Sequence, residues 1–302
     1  MGGEGVERLA PLMSPQLCLG TAQFGLPYGI TNTTGQVAEE EVKRILEFAA
    51  QKGIEFLDTA QAYGSSESVL GRCWPTGAKR RLITKLPAQA PPESWEPSLQ
   101  CSLERLGANS LDGLLLHRSA DLLGPQAGPL LNWLEGLRER GLVERIGVSI
   151  YDISDLDELP LERLQLVQMP VSLFDQRLLS GGTVTQLQTA GLTVHGRSLL
   201  LQGLLLQPAD QWPTFLSAGF RSHHRELELH LKDRGLTLLD GALAFARSCE
   251  QLEAVLFGFQ SLQELAELLT AWEQLQSVEI GPIDRWAWTI NQDLDPRCWP
   301  SS

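Results

Sequence analysis

The sequence has no apolar run long enough to span a membrane, and its N-terminus has no basic stretch leading into an apolar one. No secretory signal is read there, and the Met-Gly start lacks the hydroxyl residue that a myristoylation site wants. Cysteine is scarce: Cys18, Cys73, Cys101, Cys249 and Cys298 are odd in number, widely spaced and free of any Cys-x-x-Cys pair. That usage fits reduced thiols in a cytoplasmic protein rather than a disulfide framework. Basic residues are few as well. Lys and Arg number 24 against 37 Asp and Glu, a net charge of −13. The balance argues against a nucleic-acid partner, because binding phosphates needs clustered cations. Also missing are a low-complexity linker and the Gly-x-Gly-x-x-Gly turn that opens a doubly wound dinucleotide sheet; Leu19-Gly20-Thr21-Ala22-Gln23-Phe24-Gly25 does not supply it.

What is present is alternation. Short apolar runs recur at 16–19, 54–57, 82–84, 111–116, 145–149, 164–169, 192–195 and 254–257. Amphipathic patterns lie between them at 39–52, 66–71, 94–106, 125–140, 184–189, 238–248 and 261–275. Residues are 43% apolar, enough for a large core. Eight strand-like runs, each followed by a helix or helical turn, predict a (β/α)8 TIM barrel folded as a single domain over 1–302. Two segments exceed the repeat: 200–234, with an extra helical pattern at 221–234, and a Trp-containing tail at 281–302.

Four residues stand at or just past the ends of such runs: Asp58, Tyr63, Lys85 and His117. In a barrel they converge on the mouth where the βα loops build sites. A phenol, an ammonium, a carboxylate and an imidazole together make a proton donor for a polarised carbonyl. On this reading Lys85 lowers the pKa of the Tyr63 hydroxyl, Asp58 holds Lys85 charged, and His117 orients the substrate oxygen. No side chain donates hydride, so such a reaction requires a nicotinamide cofactor.

The segments Phe56-Leu57-Asp58-Thr59-Ala60-Gln61-Ala62-Tyr63-Gly64 and Ser66-Glu67-Ser68-Val69-Leu70-Gly71 resemble the signature of the aldo-keto reductase family. Ile83-Thr84-Lys85, Leu115-Leu116-His117, Ile146-Gly147-Val148-Ser149 and Gln202-Gly203-Leu204-Leu205 extend the likeness. The resemblance implies an NAD(P)-dependent oxidoreductase that reduces a small aldehyde, ketone or sugar-like carbonyl. It places Asp58, Tyr63, Lys85 and His117 in the catalytic tetrad, with Tyr63 as general acid. It also implies NADP(H), with NAD(H) possible, extended across the mouth. Gly20 and Thr21 then border the site, and Ser149 and Gln168 hold the carboxamide. Arg197 replaces the usual stacking aromatic, and Ser198, Leu200 and Gln202 line the pyrophosphate and ribose. Gly258, Ser261 and Glu264 face the adenosine end, where Glu264 stands in place of a basic residue and disfavours a 2′-phosphate. Ile150 follows Ser149 where the family often has Asn. Phe24 and Tyr28, and the tryptophans of the tail, are candidates for an apolar substrate pocket; clamping the tail onto the barrel is the other reading of Trp286 and Trp288.

Two other readings stay open. One is a nucleotide-binding, redox-sensing barrel with little turnover, motivated by Arg197 and Glu264. The other is a metal-dependent hydrolase built on Asp58, His117 and His195, which lacks a further convergent ligand set. No metal is expected, and His223, His224 and His230 are read as a solvated helix face.

Overall fold

The computed structural model describes residues 14–275 and 280–300. The N-terminal stretch read for targeting signals lies outside the described residues. Eight parallel strands close into a barrel in sequence order: β1 (Gln16–Gly20), β2 (Phe56–Asp58), β3 (Arg81–Leu86), β4 (Leu111–Leu116), β5 (Val143–Ser149), β6 (Leu166–Pro170), β7 (Thr193–Arg197) and β8 (Ala254–Gly258). The last strand pairs with the first, Gly20 opposite Gly258. The helices are α1 (Ala22–Gly25), α2 (Glu39–Gln51), α3 (Ser66–Cys73), α4 (Pro92–Leu106), α5 (Ala127–Glu139), α6 (Thr183–Thr189), α7 (Ala218–Lys232), α8 (Leu238–Ser248), α9 (Leu262–Gln274) and α10 (Asn291–Leu294).

Local chemistry explains these segments. α2 buries Val42, Ile45, Leu46 and Ala49 along one stripe and sets Glu39, Glu40 and Glu41 on the positive end of its dipole. α4 begins at Pro92, two residues ahead of the expected Ser94, because proline fits the first helical position; it ends on left-handed Gly107 (φ 58°). Thr237 and Asp240 form a capping box on α8.

Alternation along the strands separates two cores. Cys18, Phe56, Ile83, Leu115, Leu166 and Ala254 fill the barrel interior, whereas Leu57, Leu82, Leu114, Val148 and Val167 face the helices. Two residues on from an interior position, the side chain again points inward, one layer nearer the mouth. Asp58, Lys85, His117 and Gln168 stand two residues beyond Phe56, Ile83, Leu115 and Leu166. The packing that fills the barrel thus aims the polar residues at its open end.

His195 sits a layer lower. It contacts Phe56 edge-on (5.3 Å between ring centres), and its Nε2 lies 2.6 Å from Glu253. Glu253 also accepts from Arg145. His195 therefore belongs to an ionic cluster beneath the core, which removes it from the hydrolase alternative.

Candidate active site

An elongated cavity of about 450 Å³ opens at the C-terminal mouth, with Asp58, Tyr63, Lys85 and His117 on its wall. Lys85 and Asp58 are almost fully buried. Lys85 Nζ donates to Asp58 Oδ1 (2.5 Å) and to the Thr59 carbonyl (3.0 Å), so the buried ammonium has both charge and hydrogen-bond compensation. Asp58 Oδ2 accepts from Gln168 Nε2 at 2.7 Å. Above this pair the Tyr63 and His117 rings meet edge-on at 5.9 Å, and Lys85 Nζ lies 5.3 Å from the Tyr63 ring centre.

The loop carrying Tyr63 is seated tightly. Ser66 Oγ bonds Thr21 O (2.8 Å) and contacts the hydroxyls of Thr21 and Thr59, all buried. A Cβ on Gly25 would stand 1.9 Å from the Tyr63 carbonyl oxygen, so only glycine lets α1 approach this loop. Glu67, also buried, accepts from Thr84 and Ser102 and ties α3 to β3 and α4. Thr21, Thr59, Ser66 and Glu67 are the supporting shell of the site; the last three fall inside the signature segments.

The electrostatics correct one expectation. The Tyr63 phenol is pushed above its ordinary pKa, first by burial and then by the Asp58 charge. Lys85 spends its hydrogen bonds on Asp58 and Thr59. His117 is lowered to about 4 by burial, then by Lys85 and Arg197, so its imidazole is neutral at pH 7. The site holds a protonated phenol beside a neutral imidazole.

Most residues expected at the nucleotide line the same cavity: Gly20, Thr21, Ser149, Gln168, Arg197, Ser198, Leu200, Gln202, Gly258 and Glu264. Gln168 Oε1 is buried and has no hydrogen-bond partner among the described residues, leaving an acceptor that fits a carboxamide N–H2. The loop after β7 holds Ser198 (φ 65°), Leu201 (φ 47°) and Gln202 (φ 56°) in the left-handed region, a cost that side chains other than glycine seldom bear away from functional loops. The connection between α1 and α2 crosses the groove as a strap: Thr31 Oγ1 donates to Gln202 O (3.1 Å) and Thr34 Oγ1 to Gln260 Oε1 (2.8 Å).

Other expectations fail on geometry. Phe24 is fully buried in the outer core and does not reach the cavity. Its place in α1, after the turn at Thr21, points it toward the helical layer. Tyr28 does line the cavity. Ser261 does not; its hydroxyl caps α9 by accepting from the Glu264 amide. The Arg197 guanidinium lies 4.1 Å from the Tyr151 ring centre and donates to Ile150 O (2.8 Å) and Ser149 Oγ (3.3 Å). It is braced on a protein ring.

Trp286 is buried against His223 and His230, and Trp288 stacks on Phe220 at 5.2 Å. The tail is therefore clamped onto α7. The three histidines bond the carbonyls of Trp286, Leu205 and Ile280 and form no solvated face. Among the described residues no cluster of three or more His, Cys, Asp or Glu is placed to hold a metal ion.

Sequence reasoning missed Tyr151. With it, all three of the chain's tyrosines border the cavity. Their concentration at one mouth is the signal that was there to be used.

The barrel and this mouth define a class, and the comparisons agree. The model of the aldo/keto reductase family matches residues 16–287, and the chain belongs to that family. It is 26% identical to an L-galactose dehydrogenase of Arabidopsis thaliana over 81% of this chain and 82% of that protein. It is 32% identical to an aldo-keto reductase of Mycolicibacterium vanbaalenii over 41% of this chain and 46% of that one. The match spans about half the length of that and similar mycobacterial relatives. An aldo-keto reductase from Bacillus halodurans, solved in a holo form, superposes with a TM-score of 0.69 at 18% identity, covering 90% of this chain and 89% of that one. At that identity the likeness concerns the fold.

Proposed function

We propose that the protein reduces a small aldehyde, ketone or sugar-like carbonyl to the alcohol, using a reduced nicotinamide dinucleotide bound along the mouth cavity. The observation that supports this most is the buried Lys85–Asp58 pair set beneath Tyr63 and His117 at one end of an elongated groove. When bound, the nucleotide supplies hydride to the carbonyl carbon. The chain's own residues handle the oxygen. His117, neutral, donates one N–H and positions the carbonyl. Tyr63, kept protonated by burial and the Asp58 charge, passes its proton to the developing alkoxide. Lys85 places a positive charge beside the phenolate that results, and Asp58 keeps Lys85 aimed. Gln168 links Asp58 to the proposed carboxamide position.

The far end of the groove favours NAD(H) over NADP(H). Its wall carries Glu264, and neither of the cavity's cations, Lys85 and Arg197, pairs with it. Two amides at the approach to α9 already hold carboxylates: Leu262 N donates to Glu41 Oε1 (2.6 Å) and Gln260 N to Glu264 Oε2 (2.7 Å). A 2′-phosphate placed there meets two carboxylates, which repel it. Parallel fluorescence titrations with NADH and NADPH test this. NADH is expected to bind at least about tenfold more tightly, the scale of one like-charge repulsion in a partly buried site. Tighter NADPH binding contradicts the assignment, and binding of neither contradicts the reductase reading itself.

A further inference from the structure

The wall formed by His117, Ser149 and Tyr151 has a second side. Beyond it lies another cavity, of about 610 Å³, to which Arg118 and Arg297 also contribute. The two guanidiniums come from distant places. Arg118 follows His117 on the loop after β4, whereas Arg297 is delivered by the tail that Trp286 and Trp288 clamp onto α7.

Each is held by a carboxylate that does not itself line the cavity. Asp295, buried, takes Arg297 Nε and Nη2 in a two-pronged contact (3.0 and 2.6 Å), and Asp121 sits 3.5 Å from Arg118 Nη2. Arg297 also rests on the Tyr151 ring, 4.0 Å from its centre, and Arg197 meets the same ring at 4.1 Å. Both guanidiniums of the cavity are about half exposed. Arg297 Nη1 keeps its donors free of hydrogen bonds among the described residues, as do Arg118 Nε and Nη1. The wall's own carboxylate, Asp155, is turned to the backbone and accepts from the Tyr151 and Asp152 amides (2.7 and 3.0 Å). The wall therefore presents two guanidiniums with open N–H donors, each balanced from behind by a carboxylate, while its own Asp155 carboxylate is already occupied.

We propose that this cavity is a substrate subsite for an anionic group. The carbonyl compound reduced is thus an aldehydo- or keto-acid, or a phosphorylated sugar-like carbonyl, whose anion sits on Arg118 and Arg297. The proposal rests on the reductase reading and narrows its substrate class. Planar guanidiniums with fixed forks are suited to carboxylate and phosphate oxygens. A substrate anchored this way extends past His117 from a carbonyl at Tyr63.

The test compares 4-carboxybenzaldehyde with its methyl ester, and glyceraldehyde 3-phosphate with glyceraldehyde, each with the preferred nucleotide in wild type, Arg118→Gln and Arg297→Gln. Wild type is expected to favour the anionic member of at least one pair by about tenfold or more in kcat/KM, carried mainly by KM, an advantage that falls with added salt. In either variant the anionic-to-neutral ratio falls toward one. The pair that shows the effect identifies carboxylate or phosphate as the group bound. Equal efficiency within both pairs in wild type, or a ratio unmoved by both variants, overturns the subsite. Should no carbonyl be turned over, calorimetry of the nucleotide-bound protein with terephthalate and with inorganic phosphate separates the two claims. Binding that Arg297→Gln abolishes keeps the subsite while the reductase reading falls; no binding of either overturns the subsite as well.

Discussion

At the scale of single residues, the site is governed by which groups stay uncharged. Burial lifts the Tyr63 phenol and depresses His117, so the two groups proposed to face a substrate oxygen are a neutral acid and a neutral donor. The charges sit one layer down, on Lys85 and Asp58, where each compensates the other. This has a consequence for pH dependence. A histidine at its ordinary pKa would impose an inflection near pH 6.5. With His117 held at about 4, the imidazolium form is absent above that value and the neutral ring keeps one N–H. The pH profile of kcat/KM for a neutral carbonyl is expected to be flat through about pH 6 to 8, with a His117-dependent change only toward about pH 4. An inflection near 6.5 that disappears in His117→Gln refutes the neutral-imidazole assignment.

At the scale of elements, the barrel's period-two geometry does most of the positioning. Strand ends deliver Asp58, Lys85, Ser149, Gln168 and Arg197, while the loop after β2 delivers Tyr63 and must be held by packing. Gly25→Ala tests that packing: the new methyl collides with the Tyr63 carbonyl and the Ser66 amide. A stability loss of about 1–3 kcal/mol is expected, seen as a lower Tm, together with reduced turnover from a displaced Tyr63. A Gly25→Ala protein with unchanged Tm and kcat shows that the contact is not tight. All eight strands, and the placement of Asp58, Lys85 and His117 at or just past strand ends, were legible in the sequence, because apolar runs punctuated by polar ends are a local pattern. Phe24 was not, because a four-residue helix re-aims it away from the mouth. The partner that braces Arg197, Tyr151, was not legible either: it comes from the loop after β5, and no pattern along β7 reveals it. The histidines of α7 read as solvated only while the tail that covers them is left out.

At the scale of the whole molecule, three departures from the bare barrel converge on the mouth. The strap between α1 and α2 bridges the loops after β7 and β8. The connection from β7 to α7 carries the left-handed residues, and the tail crosses α7 to bring Arg297 onto Tyr151. Together they distinguish this barrel's mouth from its floor, where Arg81 and Arg145 pair with Asp112 and Glu253, and His195 hydrogen-bonds Glu253. The floor has the character of a stability element, and the mouth that of a site.

The account stands on Tyr63 as the proton donor to a carbonyl oxygen at that mouth, and the Tyr63→Phe variant addresses it most directly. Removing one hydroxyl leaves the groove's shape intact, so nucleotide affinity by fluorescence titration is expected to stay at the wild-type value. Steady-state kcat for a good carbonyl substrate is expected to fall by about 10²–10⁴-fold, the worth of a positioned general acid. Wild-type turnover by Tyr63→Phe would contradict the account.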